Sequence, residues 1–210
     1  KGGTGKTTVA VNLAVALALS GITTYLVDAD GNAGALQYHM RMERVNTTMI
    51  GLLRREIAKV SLERLMHDGR IHPTRIEEIV EKVKVDIDKL MYEEAEKIIF
   101  ELGLSDFHPE LIKVLGRLKY RTSYGQNVLN HVIETSRLAA VIADELGADV
   151  QAAKTGGLLH DIGKAIDHET EGPHAAIGAQ IAQRHGLSFK VINGIAAHHQ
   201  EVEYACVEAP

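Results

Sequence analysis

Apolar residues recur at every third or fourth position along most of the chain, which is the spacing expected for the buried face of a helix. Seven such stretches follow one another from residue 52 onwards, and turn residues separate them. The pattern therefore predicts a mainly helical protein. The predicted helices cover residues 52–67, 75–102, 110–118, 123–145, 150–160, 174–185 and 189–199.

Capping boxes mark the starts of two of these helices. Thr74 is followed three positions later by Glu77, and Ser123 is followed by Gln126 at the same spacing. In this arrangement the two side chains satisfy backbone N–H groups of the first helical turn. We therefore expect a long, strongly charged helix to begin after Thr74 and a second helix to begin after Ser123.

The first part of the chain follows a different pattern. Residues 7–20 form an apolar run that predicts a buried helix ended by Gly21. Residues 22–28 are rich in β-branched side chains and predict the one credible strand of the chain. The predicted fold class is therefore mainly α, with a short, incomplete α/β segment at the N-terminus. The expected regions are the α/β segment 1–48, a helical connecting region 51–102 and a helical domain 103–210.

Composition narrows the class of protein. The chain has 210 residues, of which 45% are hydrophobic, so a substantial core is expected rather than disorder. The net charge of −5 argues against nucleic-acid binding through charge alone. Cys206 is the single cysteine, which excludes a disulfide framework and a cysteine-based zinc site. With no signal peptide and no apolar run of about 18 residues, we expect a cytoplasmic chain without a membrane segment.

A glycine-rich loop opens the sequence, which begins on Lys1 rather than Met and which we therefore expect to be a fragment. Glycines let consecutive N–H groups face one anion, and the following helix directs its positive dipole end to the same place. A lysine would reach the β- and γ-phosphates, and a threonine hydroxyl would bind Mg²⁺. The candidate nucleotide-binding residues of this loop are Gly2, Gly3, Gly5, Lys6 and Thr7.

The sequences KGGTGKTT and VDAD within residues 1–30 resemble the deviant Walker A family of partitioning ATPases. The resemblance implies that Lys1 reaches the nucleotide of a partner subunit, that Asp28 holds magnesium through water and that Asp30 orients the attacking water. The resemblance fades near residue 48. Such ATPases need a complete parallel sheet, and residues 1–48 predict only one strand of it. Mg-ATP is therefore a candidate ligand of this segment, but we expect no hydrolysis.

Histidines are concentrated in the C-terminal half, where seven of the eleven lie after position 130. Imidazoles without cysteine, together with carboxylates, suit a site for Fe, Mn, Zn or Ni. An acidic residue directly after a histidine at the end of an apolar run is costly to bury unless it is paired or bound to metal. The candidates from the pattern are His131, His160, Asp161, His174, His198 and His199.

The motif HDIGK, with an upstream His and a downstream His and His-His pair, resembles the HD phosphohydrolase superfamily. Longer stretches resemble the ribonuclease Y family of HD-domain endoribonucleases over about residues 51–203, and they include RREIAKVSLERLMHDGRIHPTRIEEIVEKV, GLLHDIGKAIDHETEGPHAAIGAQIA and AAHHQEVE. This resemblance implies an all-helical HD domain, a divalent ion (Mn, Mg, Fe or Zn) and hydrolysis of phosphodiesters in single-stranded RNA during mRNA turnover.

The resemblance also implies a role for each candidate. His131, His160 and Asp161 match the core metal ligands, and His174, His198 and His199 match a second-metal set. Lys164, together with His160 and Asp161, is implied in catalysis, where its charge would stabilise the phosphate. In this superfamily a final Asp on a later helix closes the metal site. None of Glu201, Glu203 and Glu208 is a convincing substitute, so we expect an HD domain truncated at its C-terminal end and impaired activity.

Basic and aromatic residues lie together just before the helix of His131. Arg117, Lys119 and Arg121 alternate with Tyr120 and Tyr124. Aromatic rings stack on bases and arginines hold phosphates, so this segment is the candidate RNA-binding surface. A solvated helix end with packed tyrosines is the alternative.

The ribonuclease Y resemblance further implies a homodimer and partners in RNA degradation. That family is anchored to the membrane by a segment that we do not find in this sequence. Two other functions stay open: an HD phosphohydrolase acting on small or cyclic nucleotides, and an ATP-switched ATPase of the partition type. Only the long match over residues 54–131 separates the first of these from an endoribonuclease.

Overall fold

The computed structural model describes residues 49–69, 72–123, 125–166 and 172–209. The chain divides into two compact units, and the boundary between them, after Ile87, falls within a long helix. The predicted helix 7–20, the predicted strand 22–28 and all nucleotide-binding candidates lie outside the described residues.

Seven α-helices form nearly all of the described structure, which confirms the mainly α fold class. Two 3₁₀ turns, Leu118–Tyr120 and Ile162–Ala165, connect some of them. The helices are α1 (Met49–Asp68), α2 (Pro73–Glu101), α3 (Pro109–Arg117), α4 (Val128–Glu145), α5 (Val150–Leu159), α6 (His174–Arg184) and α7 (Phe189–Ala197).

The first unit contains α1 and the beginning of α2 among its described residues. Both helices bury aliphatic side chains at helical spacing, such as Leu65 in α1 and Val83 in α2. Arg64 forms an ion pair with Asp86 at 2.6 Å. These contacts explain why a helix as strongly charged as α2 still has a buried face.

The second unit contains one hydrophobic core, formed by the end of α2, helices α3 to α7 and the two 3₁₀ turns. Leucines of α3 and α5 are fully buried there, and Ile162 and Ile195 join them. Gly103 and Gly147 end α2 and α4 with positive φ angles of 64° and 66°, a conformation that glycine adopts without strain. This core fixes the ends of α5 and α7, which carry the candidate ligands.

The start of α4 differs from the prediction. Ser123 and Gln126 do not open the helix, because they pair across a hairpin of two short strands, β1 (Thr122–Ser123) and β2 (Gln126–Asn127). The N-cap is Asn127, whose side chain accepts a hydrogen bond from the backbone N–H of Asn130. Gly125 provides the positive φ angle, 81°, that a tight turn needs. The capping-box interpretation of this segment is therefore wrong.

The apolar face of α4 is only partly buried. The apolar periodicity of residues 128–142 predicts a buried stripe that includes Val128, Leu129, Val132, Leu138 and Ile142. Val128, Leu129 and Val132 do lie in the core. Leu138 and Ile142, which the periodicity also places in the buried stripe, are 64% and 58% exposed. The second half of α4 therefore presents an aliphatic surface.

Within the described part of the chain, none of the helices combines the length and the apolar character that crossing a bilayer requires.

Candidate metal centre

The ends of helices bring the candidate histidines together. His160 is the C-cap of α5 and His198 the C-cap of α7, while His174 begins α6. His131 lies in the first turn of α4, one turn after the hairpin. Asp161 follows α5 directly and is 2% exposed.

A first group of ligand atoms comes from α4 and the end of α5. The Nε2 atoms of His131 and His160 are 3.2 Å apart. Asp161 Oδ2 lies 3.8 Å from His131 Nε2 and 3.5 Å from His160 Nε2. These three side chains could share one metal ion.

A second group comes from the start of α6 and the end of α7. His174 Nε2 lies 3.2 Å from His198 Nε2 and 3.0 Å from His199 Nε2. His198 is partly buried and His199 is exposed, so this group opens to solvent on the side of His199. It could hold an ion of its own.

The carboxylate of Asp161 faces both groups. Its Oδ2 atom lies nearest the first group, whereas its Oδ1 atom lies 3.3 Å from His174 Nε2 and 3.7 Å from His198 Nε2. Oδ1 is buried and has no hydrogen-bond partner among the described residues. A buried carboxylate oxygen without a partner is costly, and binding to a metal ion removes that cost.

Two backbone carbonyls orient the partly buried imidazoles of His160 and His198. His160 Nδ1 donates to the carbonyl oxygen of Gly157 at 2.9 Å, and His198 Nδ1 donates to that of Ile195 at 2.6 Å. Both carbonyls belong to the last turn of a helix, where they lack a helical partner. With the proton on Nδ1, the lone pair of Nε2 points into the site, which is the arrangement that metal-binding histidines use.

Burial and neighbouring charges set the protonation of the site. Burial lowers the pKa of His198 to about 4, and burial together with His160 lowers the pKa of His131. Burial by itself raises the pKa of Asp161, but its contacts with His160, His174 and Lys164 hold the pKa well below the usual range. Near neutral pH the lowered pKa values of His131 and His198 favour neutral imidazoles, and that of Asp161 favours an ionised carboxylate, which are the forms that bind a metal ion.

These side chains fit the divalent ion that the sequence implies. Neighbouring nitrogen ligands about 2.1 Å from one ion lie roughly 3.0–3.4 Å apart, which is the separation observed within both groups. The donor set of imidazole nitrogens and one carboxylate suits Mn, Fe or Zn.

Lys164 and Gly163 complete the surroundings of Asp161. Lys164 Nζ donates to Asp161 Oδ2 at 2.8 Å, so the predicted catalytic lysine lies beside the cluster and is paired with its carboxylate. Gly163 lies against the start of α6, where an added Cβ would lie 2.0 Å from the carbonyl oxygen of His174. Only glycine allows the turn after Asp161 to approach His174 so closely.

The remaining sequence candidates lie elsewhere. Glu208 is held by Lys190 Nζ at 2.8 Å and by the backbone N–H of Asp149 at 3.0 Å, so it belongs to neither ligand group. Lys119 forms an ion pair with Glu94 at the 3₁₀ turn before the hairpin, between Arg117 and Arg121. The nucleotide-binding candidates Gly2, Gly3, Gly5, Lys6, Thr7, Asp28 and Asp30 lie outside the described residues.

Sequence reasoning missed two features of the centre. The first is that the carbonyls of Gly157 and Ile195 orient the candidate ligands His160 and His198. The sequence feature that could have indicated this is a histidine at a predicted helix end, three positions after the residue that provides the carbonyl. The second is the position of Asp161 between the two groups. No sequence pattern indicates this position, because it depends on how α6 and α7 pack around the 3₁₀ turn that follows Asp161.

Two family models match the chain. Residues 128–209 match the HD domain, and residues 1–136 match an AAA domain. The HD match contains every candidate ligand described above. The AAA match contains the glycine-rich loop and continues beyond residue 48, where the resemblance to partitioning ATPases fades.

Curated relatives are similar over three quarters of the chain or slightly more. Ribonuclease Y of Thermoanaerobacter pseudethanolicus is 59% identical over 157 residues, which cover 75% of this chain and 31% of that protein. Ribonuclease Y of Thermosipho melanesiensis is 56% identical over 167 residues, which cover 80% of this chain and 33% of that protein. The chain thus spans about a third of the length of the curated relatives it matches. No solved structure matches it.

The similarity to ribonuclease Y and the HD match together confirm the resemblance drawn from HDIGK and the surrounding histidines. The AAA match agrees with the resemblance drawn from the N-terminal loop. The chain therefore belongs to the AAA domain family, whose model matches residues 1–136, and its residues 128–209, which contain the candidate metal-ligand cluster, are similar to the HD domain.

Proposed function

We propose that this chain is a metal-dependent phosphodiesterase that cleaves single-stranded RNA endonucleolytically. The observation that carries the proposal is the carboxylate of Asp161, buried between two groups of histidines, with Oδ1 lacking a hydrogen-bond partner among the described residues. RNA is the proposed substrate because curated relatives at 56–59% identity are named ribonuclease Y.

The two groups would each hold a divalent ion, with Asp161 contributing to both. A bound divalent ion polarises a phosphodiester and supplies hydroxide near neutral pH. His131, His160 and Asp161 would form one binding set, and His174, His198 and His199 the other. Mn²⁺, Mg²⁺, Fe²⁺ and Zn²⁺ are the ions to compare.

The protein's own side chains position the reaction around the cluster. The carbonyls of Gly157 and Ile195 keep the Nε2 lone pairs of His160 and His198 directed inward. Lys164 adds a positive charge beside Asp161, where it would offset the charge of a phosphate. A cluster with preset orientation and charge stabilises a transition state without having to reorganise.

We propose that RNA reaches the cluster along the basic segment before α4. Arg117 and Arg121 flank Lys119, whose ammonium group is paired with Glu94. Arg117 and Arg121 are the proposed phosphate contacts, because guanidinium groups bind phosphates, and Tyr120 is the proposed stacking surface. A cytoplasmic location, a homodimer and partners in RNA degradation are further parts of this proposal.

RNA cleavage by metal-loaded protein tests the function. We expect a single-stranded RNA to be cut internally in the presence of Mn²⁺, and His160→Ala to abolish the cutting. His67→Ala is the matched control, because His67 lies in α1, outside both ligand groups. Cyclic dinucleotides and small nucleotides are assayed in parallel. Turnover of these compounds without RNA cleavage would contradict the proposal and favour a small-molecule phosphohydrolase.

A further inference from the structure

Asn193 is a buried polar residue of the apolar helix α7, and it belongs to neither ligand group. It is 6% exposed, and the other residues that α7 buries have apolar side chains or none. A buried amide is costly unless its hydrogen-bonding groups find partners. Both ends of this amide do find partners, and both partners are backbone groups of the segment after α7.

The amide of Asn193 closes a loop that carries two candidate ligands. Its Nδ2 donates to the carbonyl oxygen of Glu203 at 3.0 Å, and its Oδ1 accepts from the backbone N–H of Ala205 at 2.9 Å. The ligand loop, residues 198–203, begins with the paired histidines. Because Asn193 precedes this loop and Glu203 ends it, one side chain ties the far end of the loop to the helix from which the loop starts.

The position of His199 depends on this loop more than that of His198 does. The rings of His160 and His198 are oriented by carbonyls of their own helices. His199 is exposed, and among the described residues no backbone carbonyl accepts from its ring. Its Nε2 nevertheless lies 3.0 Å from His174 Nε2. The backbone conformation of the ligand loop therefore sets where this imidazole lies.

That backbone conformation includes an unfavourable residue. Gln200 directly follows His199 and has a φ angle of 61°, in the left-handed region that residues with a side chain seldom adopt. Its N–H donates to the carbonyl oxygen of Ala197 at 2.7 Å, which closes the turn after α7. An unfavourable backbone conformation persists only where surrounding contacts hold it. The two hydrogen bonds of Asn193 are contacts of this kind.

We propose that Asn193 is a positioning residue for the ion of the second ligand group and that it acts through His199. The inference rests on the proposed metal-dependent function. By tying the ligand loop to α7, the amide keeps the imidazole of His199 near that of His174 before an ion binds, so less conformational freedom is lost on binding. The first ligand group comes from α4 and the end of α5. Loss of the amide should therefore weaken one of the two ions selectively.

Metal affinity tests this selectivity. Isothermal titration calorimetry of the metal-free full chain with Mn²⁺ measures both binding steps. We expect Asn193→Ala to bind one ion as the wild type does and the other at least about tenfold more weakly, because loss of a group that supports a ligand costs about 10–100-fold in metal affinity. Ser188→Ala is the matched control, since it removes the side-chain cap at the opposite end of α7. It should destabilise this helix and leave both affinities unchanged.

Combination with ligand variants identifies the affected ion. His199→Ala removes a member of the second group, so adding Asn193→Ala to it should not weaken the remaining ion. Asn193→Ala added to His131→Ala should impair both ions. Weakening of the ion that remains in His199→Ala would overturn the inference, because Asn193 would then act independently of that ligand.

Ala205→Pro removes the same contact without changing α7. Ala205 is exposed, and proline at this position lacks the N–H that donates to Asn193, so no cavity opens in the core. We expect the same selective loss of one ion, whereas Ala205→Ser keeps the N–H and should bind both ions. Hydrogen exchange in the metal-free protein gives a readout without an ion: the N–H of Gln200 should exchange faster in Asn193→Ala and Ala205→Pro than in Ala205→Ser and Ser188→Ala.

Three outcomes would overturn the inference. In the first, Asn193→Ala and Ala205→Pro bind both ions with wild-type affinity. In the second, Asn193→Ala and Ser188→Ala weaken both ions equally, which would reduce Asn193 to a stabilising residue of the core. In the third, the wild type binds only one ion. A wild type that binds two ions without cutting RNA would contradict the proposed function alone, so the two failures are distinguishable.

Discussion

Individual residues around Asp161 decide whether the two ligand groups can form together. The carboxylate is buried, it faces histidines from both groups, and it is followed two positions later by a glycine packed against the start of α6. Local sequence specifies the ligand types, whereas the close approach of two backbone segments sets their separation. A substitution that pushes these two backbone segments apart should therefore disturb the positions of the candidate ligands more than a substitution at the protein surface.

Gly163→Ala tests this close approach. The added Cβ would overlap the carbonyl oxygen of His174. Because this oxygen belongs to the backbone, the overlap can be relieved only if the start of α6 moves. Overpacking of this kind costs about 1–3 kcal/mol and occasionally more, so we expect a free energy of unfolding lower by at least about 2 kcal/mol. Urea denaturation measures the change. Gly156→Ala is the matched control and should be neutral or slightly stabilising, because a helix favours Ala over Gly. Equal stability of the two variants would show that the turn is not tightly packed.

A pH dependence should come from a histidine pair outside the metal centre. The rings of His108 and His185 stack with centroids 4.8 Å apart, and burial, then His108 and Arg184, lower the pKa of His185. Because the folded-state pKa lies below the unfolded value of about 6.5, the unfolded chain takes up the proton first as the pH falls. The contribution of His185 to stability is thus present above about pH 6.5 and is lost below it.

We expect His185→Gln to lose less stability than the wild type between about pH 7.5 and about pH 5.5. Urea denaturation at both pH values, without added metal, measures the difference. Since the histidines of the cluster are the same in both proteins, their titration cancels in the comparison. An identical loss in both proteins would assign the pH dependence to other groups.

At the level of secondary structure, helix ends carry the chemistry. Helices α5 and α7 both end on a proposed ligand whose Nδ1 donates to a carbonyl of the last turn, and α6 begins on another proposed ligand. The last carbonyls of a helix have no hydrogen-bond partner within the helix. In α5 and α7 one of these carbonyls accepts a hydrogen bond from the imidazole of a proposed ligand and so orients its ring. The hairpin of β1 and β2 lies between the basic segment and the first turn of α4, which carries His131.

The basic segment should contribute binding energy rather than stability. We expect Arg117→Ala combined with Arg121→Ala to weaken binding of a single-stranded RNA, because lost phosphate contacts release fewer counterions. The melting temperature should change little if these arginines face the substrate. Fluorescence anisotropy at several salt concentrations measures the affinity, and Lys97→Ala on the exposed surface of α2 is the matched control. Unchanged affinity would favour the alternative of a solvated helix end.

The pattern of apolar, turn and capping residues predicted all seven described helices to within about five residues at each end. It failed at Ser123 and Gln126, because the capping-box spacing also fits two positions paired across a hairpin. The apolar periodicity also placed Leu138 and Ile142 in the core, although both are more than half exposed. An apolar stripe shows which face of a helix can be buried, but it does not show how much of that face the neighbouring helices cover. The ligand residues could be proposed from sequence, since HDIGK and the paired histidines are specific. The resemblance also implied two ligand sets, but the place of Asp161 between them could not be proposed from sequence, because it depends on tertiary packing.

For the whole molecule, the two family matches concern different chemistries. The HD match contains the six candidate ligands, and the AAA match contains a nucleotide loop that lies outside the described residues. The chain spans about a third of the length of its curated ribonuclease Y relatives, which are similar over 74–80% of the chain. We therefore assign the proposed chemistry to the C-terminal part.

The N-terminal loop should not hydrolyse ATP in this chain. The sequence carries the loop and a single predicted strand, whereas a working ATPase of this class needs a parallel sheet to hold its catalytic aspartates. We expect phosphate release from ATP to stay at background and to be the same in Lys6→Ala. A rate above background that depends on Lys6 would contradict this expectation and support the partition-type function.

The most direct test of the central claim is the metal content of purified chain after loading with Mn²⁺ and removal of free ion, measured by elemental analysis. We predict about two ions per chain, one for each ligand group. Asp161→Ala should lose both ions, whereas His131→Ala and His199→Ala should each lose about one. Circular dichroism checks that each variant keeps its helical fold. An Asp161→Ala protein that is folded and retains both ions, or a folded wild type that binds none, would contradict the account of Asp161 as the centre of a two-ion site.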